Sequence, residues 1–202
     1  MTERFDGVLI GGGHNSLVCA AYMAKAGKKV AVLEQSPLIG GGCSTREVTL
    51  PGFKHNMHSN YYVGLDRSPI IRDLSLDEYG FSMVFPEQQQ GCIFRDGTAF
   101  TIHRDVERTV KSLEKINKKD AKTYKELHVK FTEGMLDIIT SFMYCAPLPP
   151  EEMKARFSGP LGKEFLSYNN LSMYDAVDQH FEDERIRVLF KLFLGSFTLE
   201  NT

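Results

Sequence analysis

The chain has 202 residues, of which 42% are hydrophobic, so it can bury a core of its own. Its 24 Lys and Arg nearly balance its 26 Asp and Glu, for a net charge of -2, and its basic runs are only local, such as Lys115 to Lys119; nothing points to a nucleic-acid surface. Cys19, Cys43, Cys92 and Cys145 are scattered, with no CxxC pair and no ligand spacing, which argues against a disulfide framework, a dithiol centre and a zinc site.

The first residues, MTERFDG, are charged and lead straight into an apolar run, which is not the pattern of a secretory leader; a cytoplasmic location is the expectation. Phe5 to Ile10 reads as a strand. From His14 or Asn15 to Ala26 the period changes to helical, with Leu17, Val18, Ala21 and Ala24 on one face. Gly27 is placed to end that helix, Lys28 and Lys29 suit its negative end, and Val30 to Leu33 is uniformly apolar, as expected of an interior parallel strand. The segment is therefore read as a right-handed β-α-β unit.

Further on, Arg46 to Leu50 reads as a strand ended by a Pro51-Gly52 turn. Cys92 to His103 reads as a hairpin with a type I′ turn at Asp96-Gly97. Asp105 is placed to cap a helix carrying Val106, Val110, Leu113 and Ile116 inward. Asp120 is placed to cap a longer one carrying Tyr124, Leu127, Phe131, Met135, Ile138 and Phe142 inward, ended by the proline-rich Ala146 to Pro150. Ser172 and Asp175 form a capping-box pattern opening another helix toward His180. The apolar run Val188 to Phe197 is too short to span a bilayer and is broken by Lys191, which leaves contact with a membrane surface open.

The chemistry concentrates near the N-terminus. In IGGGHNS, Gly11 and Gly13 hold the first two positions of a GxGxxG pattern between strand and helix, and Ser16 stands at the third. Such a turn needs positive φ, then a bare backbone that a pyrophosphate can approach, then a helix N-terminus facing its charge. A glycine-rich turn of purely structural purpose would look the same in isolation. Glu34, at the end of the second strand, stands where a Rossmann fold places a carboxylate for a ribose diol, and it would repel a 2′-phosphate. No GxxxxGK[ST] is present, so a mononucleotide P-loop is rejected.

A second IGGG, Ile39 to Gly42, places Gly40 six residues past Glu34 and runs into a loop rather than a helix. With this pair the sequence resembles the flavin-dependent oxidoreductases of the phytoene desaturase and amine oxidase superfamily, in its phytoene dehydrogenase-like branch. Their signature is a GxGxxG, an acid and a following Gly-Gly pair. The resemblance is strongest over Phe5 to Tyr62 and weaker after Pro147. It implies an FAD-binding Rossmann-like β-α-β with an antiparallel hairpin insert and the start of a mixed, largely helical substrate domain. It also implies FAD contacts at Gly11, Gly12, Gly13, His14, Asn15, Ser16, Glu34, Gln35, Gly40, Gly41, Gly42 and Cys43. Many relatives carry an Arg two residues after the acid; this chain has Ser36.

On that resemblance, residues 1–65 are the N-terminal part of the FAD domain and residues 66–202 the hairpin and helical part of the substrate domain. The remaining FAD-domain strands are expected beyond residue 202, this chain being an N-terminal fragment of a protein more than twice as long or a truncated gene product. The implied reaction is hydride transfer from a C-H bond of an apolar, carotenoid- or polyene-like small molecule to flavin, with an unspecified electron acceptor. His55 and His58 fall in the loop that would approach the flavin ring, and proton transfer and ordinary packing remain alternatives for both. Cys43 reads better as a small loop residue than as a reactive thiol. Two rival readings are an NAD-dependent Rossmann dehydrogenase, which leaves the second glycine pair unexplained, and a non-catalytic regulatory protein that retains the fold.

Overall fold

A computed structural model describes residues 3–59, 61–62, 64–168 and 170–195. Asn60, within the histidine-bearing loop, and the ending from Ser196 onward lie outside the described residues. The chain forms two compact units, Met1–Met83 and Val84–Thr202.

In the first unit, β1 (Gly7–Ile10) and β2 (Val30–Leu33) pair in parallel, with Gly7 opposite Val30 and Ile10 opposite Leu33. The connecting helix α1 (His14–Lys25) packs on β1 through Met23, whose terminal methyl would lie 2.6 Å from a β-carbon on Gly7. Gly27, at φ +77°, ends α1 in a Schellman motif: its amide bonds the Ala24 carbonyl and the Lys28 amide that of Met23. β2 is not the buried interior strand that its composition suggests. Among the described residues β1 is its only partner, and Val8, Ile10 and Leu33 are all more than half exposed.

Two further two-residue strands, β3 (Thr45–Arg46) and β4 (His55–Asn56), pair antiparallel. The strand expected over Arg46 to Leu50 is thus cut to its first residue. The chain then turns, with the Phe53 amide on the Leu50 carbonyl and Gly52 at φ +87°. A short helix α2 (Ile70–Asp73) is tied to α1: Tyr22 donates its hydroxyl to Asp73 Oδ2 at 3.1 Å, and the Lys25 ammonium bonds the Asp73 carbonyl.

The second unit opens with the hairpin β5 (Gln88–Ile93) and β6 (Ala99–His103). Its turn differs from the type I′ expectation. Only Gly97 has positive φ, +83°; the Gly97 amide bonds the Phe94 carbonyl, and the Phe94 amide bonds the Thr98 carbonyl. That is a tight turn followed by a glycine bulge, and the Asp96 carboxylate holds it by accepting from the Thr98 amide at 2.8 Å.

Among the described residues, seven helices follow: α3 (Val106–Glu114), α4 (Lys118–Lys130), α5 (Leu136–Met143), α6 (Pro150–Arg156), α7 (Pro160–Tyr168), α8 (Met173–His180) and α9 (Glu184–Gly195). Asp105 caps α3 and Ser172 caps α8 as expected. Asp120 does not cap α4. Asn117 does, accepting from the amides of Lys119 and Asp120. The Asp120 carboxylate is instead buried and accepts from the amides of Glu182 and Asp183, so it fixes the approach to α9 from 62 residues away. The core gathers Phe100, Leu113, Ala121, Ile186 and Leu189 between hairpin and helices. A single π-helical turn, Phe131–Met135, joins α4 to α5.

Candidate dinucleotide site

The site is built where β1 ends. The Gly11 amide bonds the Leu33 carbonyl at 2.7 Å, the last step of the β1–β2 ladder, and Gly11 then turns at φ +93°, a conformation that favours glycine. Gly12 is buried, and a β-carbon there would lie 3.2 Å from the Glu34 side chain. Gly13 is the N-cap of α1 at φ -74°, with no side chain capping the helix and no acid in its first turn. The amides of His14, Asn15 and Ser16 therefore open the helix with its positive end unneutralised, and His14 and Asn15 are exposed. A β-carbon on Gly13 would meet nothing of the chain within 4 Å, so the approach to this helix end is clear.

Glu34 is held from both sides. Its Oε2 accepts the Gly12 amide at 2.6 Å and its Oε1 the Ser36 amide at 2.8 Å. The Ser36 amide, then that of Gly12, holds the carboxyl below its ordinary range against the opposing effect of partial desolvation. An ionised carboxylate has further lone pairs for hydroxyl donors. Ser36, which replaces an expected Arg, fixes the turn after Glu34 a second time, its hydroxyl accepting from the Leu38 amide at 3.2 Å. Gln35 is exposed beside it.

The second glycine stretch lies directly against the first. The Gly40 amide donates to the Gly12 carbonyl at 2.8 Å, and Gly13 and Gly40 form an isolated parallel bridge. Gly40 has φ +112° and Gly41 φ +57°, and a β-carbon on Gly41 would come within 3.1 Å of the Gly13 α-carbon. The loop then makes a single 3-10 turn, Gly41–Cys43, and Cys43 Sγ meets Ser59 Oγ at 3.3 Å. Tyr62 joins that pair; burial, then Cys43, pushes its hydroxyl up. None of the four cysteines is in a disulfide.

The two histidines are less engaged. His55 is exposed and its Nε2 bonds the Thr49 hydroxyl at 2.9 Å, bracing the β3–β4 turn. His58 is exposed near Gly42, 3.9 Å from where a β-carbon there would stand. No acid or base partner is placed on either histidine among the described residues. Among the described residues no group of three or more His, Cys, Asp or Glu could hold a metal, and no helix is long and apolar enough to cross a membrane.

Residues 9–77 match the family of NAD(P)-binding Rossmann-like domains. The chain is 33% identical over 173 residues to a limonene dehydrogenase protein of Castellaniella defragrans, covering 85% of this chain and 31% of that protein. It is 30% identical over 155 residues to pyridine nucleotide-disulfide oxidoreductase domain-containing protein 2 of Rattus norvegicus, covering 73% and 26%. The chain thus spans about a quarter to a third of the length of the curated relatives it matches. A cofactor-redesign variant of putrescine oxidase shares the fold with a TM-score of 0.55 at 21% identity, over 95% of this chain and 37% of that one.

Proposed function

We propose, for a chain that belongs to the FAD-dependent oxidoreductase superfamily, that its first unit holds the ADP half of FAD in an enzyme that removes hydride from a C-H bond of an apolar small molecule. The observation that carries this reading is the contact between Gly11–Gly13 and Gly40–Gly42 beside the bare N-terminus of α1.

In this reading the amides of Gly13, His14, Asn15 and Ser16 face the diphosphate, where the helix end stabilises negative charge. The Gly13 α-carbon leaves room for close approach. Glu34, already positioned by two amides, accepts hydrogen bonds from the ribose hydroxyls; its charge disfavours a 2′-phosphate. Gly40, Gly41 and Gly42 bring the second loop over the same cofactor without side chains in the way, with Cys43 and Ser59 fixing its far end. Gln35 flanks the Glu34 carboxylate. When bound, FAD supplies the hydride-accepting ring, and a separate acceptor takes the electrons onward. The chain's own part is to bind, orient and charge-match the nucleotide.

The substrate class rests on the resemblance to the phytoene dehydrogenase-like branch and on the likeness to a protein named for limonene dehydrogenase. The family description itself favours one rival, NAD bound by the same β-α-β unit. Titrating the chain with FAD, NAD and NADP, each followed by ligand-observed NMR, separates the two. The proposal predicts binding of FAD in preference to NAD, and NADP weakest because of Glu34. NAD bound more tightly than FAD would replace flavin with nicotinamide.

A further inference from the structure

The helical unit contains an apolar cavity of about 430 Å³. Leu127 of α4 with Phe131 and Met135 of the π turn form one wall, and Phe165 of α7 and Phe190 of α9 face the same space. At the roughly 30 Å³ that a water occupies in the liquid, this volume takes on the order of a dozen non-hydrogen atoms. Cavities in this size range are those that enclose small organic ligands.

The shape is maintained by features that a simple packing defect would not need. The π turn interrupts an otherwise continuous α4–α5 helix within this wall, and such turns are rare and concentrate at functional sites. Gly134 in that turn lets α7 come close, since a β-carbon there would lie 2.3 Å from the Leu161 side chain. Phe190 is held by stacking on Tyr124 at 5.8 Å and on Phe181 at 4.8 Å, and Phe165 by stacking on Phe157 at 5.7 Å. The apolar stripe that reads in sequence as buried core is left incompletely covered: Phe131 is 43% exposed.

The polar groups at the cavity are few: His128, the Lys130–Glu164 pair and the Tyr168–His180 pair. Lys130 and Glu164 form an ion pair at 2.8 Å and so present little net charge. Tyr168 and His180 share one hydrogen bond, hydroxyl to Nε2, at 2.9 Å. Burial, then the Glu164 charge, raises the Tyr168 hydroxyl, which therefore stays protonated near neutral pH. A phenol that makes one bond to a histidine can make a second, as donor or acceptor according to the imidazole tautomer.

We propose that this cavity binds a compact apolar molecule carrying a single hydroxyl or carbonyl oxygen, with the apolar body against the aromatic walls and the oxygen on the Tyr168–His180 pair. The site belongs to the helical unit by itself and does not depend on the dinucleotide reading.

The test uses the 202-residue chain without nucleotide and two matched ten-carbon probes, menthol and p-menthane, followed by saturation-transfer NMR and calorimetry. Menthol should bind about five- to tenfold more tightly than p-menthane, the value of one hydrogen bond in an apolar site. Tyr168→Phe should bring the two affinities together with little loss for p-menthane. Ala176→Phe, which projects into the cavity, should abolish both, with circular dichroism reporting that the helices persist. Should Ala176→Phe fail to fold, Tyr168→Phe carries the test alone. Absence of binding by both probes to the folded wild-type chain overturns the proposal, as does a menthol preference that survives Tyr168→Phe. Because no nucleotide is present, either failure leaves the dinucleotide site untouched, and failure of nucleotide binding leaves this result untouched.

Discussion

Gly41 is packed so closely over Gly13 that its missing β-carbon would stand 3.1 Å from the Gly13 α-carbon, and its backbone is left-handed at φ +57°. Both features oppose any side chain. Gly41→Ala should therefore cost about 1–3 kcal/mol, through the strained conformation and the displaced loop together. Thermal unfolding of the first unit should fall by several degrees. An unchanged melting temperature would show that the two glycine stretches do not constrain each other.

Glu34 yields a pH prediction. Its carboxyl is held below the ordinary value of 4.5, first by the Ser36 amide and then by that of Gly12. A group depressed in the folded state stabilises it above the unfolded value and loses that contribution as pH falls through the folded value. The first unit should thus be insensitive to Glu34 between about pH 8 and 5 and should lose stability only in more acid solution. Glu34→Gln should flatten that acid limb and, near neutral pH, weaken ADP binding by roughly tenfold through loss of a charged acceptor. Melting curves across pH and an ADP titration check the two halves.

Asp120 is the buried tie between α4 and the start of α9. Asp120→Ala removes the acceptor for the Glu182 and Asp183 amides and should destabilise the helical unit by about 3 kcal/mol, whereas Asp120→Asn, which keeps one oxygen, should cost about half as much. Denaturant unfolding of both variants measures the difference. Equal costs would mean that volume rather than hydrogen bonding sets the loss.

Helix capping supplies a smaller test in the same unit. Asn117→Ala and Ser172→Ala each delete a side-chain acceptor at a helix start and should each cost about 1 kcal/mol. Asn117 and Ser172 belong to different helices, so the double variant should lose the sum.

These cases also show what the sequence reveals and what it hides. β1, α1 and β2 are legible because the apolar period changes at the glycine turn and changes back after Gly27, and each boundary has a local cause. Asn117 and Asp120 are both residues that cap helices, and spacing favours neither; the choice is made by amides 62 residues away from Asp120. The hairpin position follows from Asp96-Gly97, but its turn type depends on one φ sign at Asp96 that the pair alone does not dictate. α6 and α7 start at Pro150 and Pro160, a position where proline is at home, although the proline-rich run reads most readily as an ending. At the site, the glycines and Glu34 are visible as a pattern. That Ser36 replaces a long cation with a turn that steadies Glu34 is visible only from the hydrogen bonds.

The measurement that bears most directly on the proposed dinucleotide site is ADP binding by Gly13→Ala. Gly13 has φ -74°, which alanine adopts freely, and its β-carbon would touch nothing in the chain within 4 Å. The variant should therefore fold with a melting temperature close to that of the parent. If the diphosphate lies against this helix start, the added methyl occupies the space it needs, and saturation transfer to ADP, present for the parent, should be lost. Equal ADP binding by the parent and a folded Gly13→Ala would contradict the assignment.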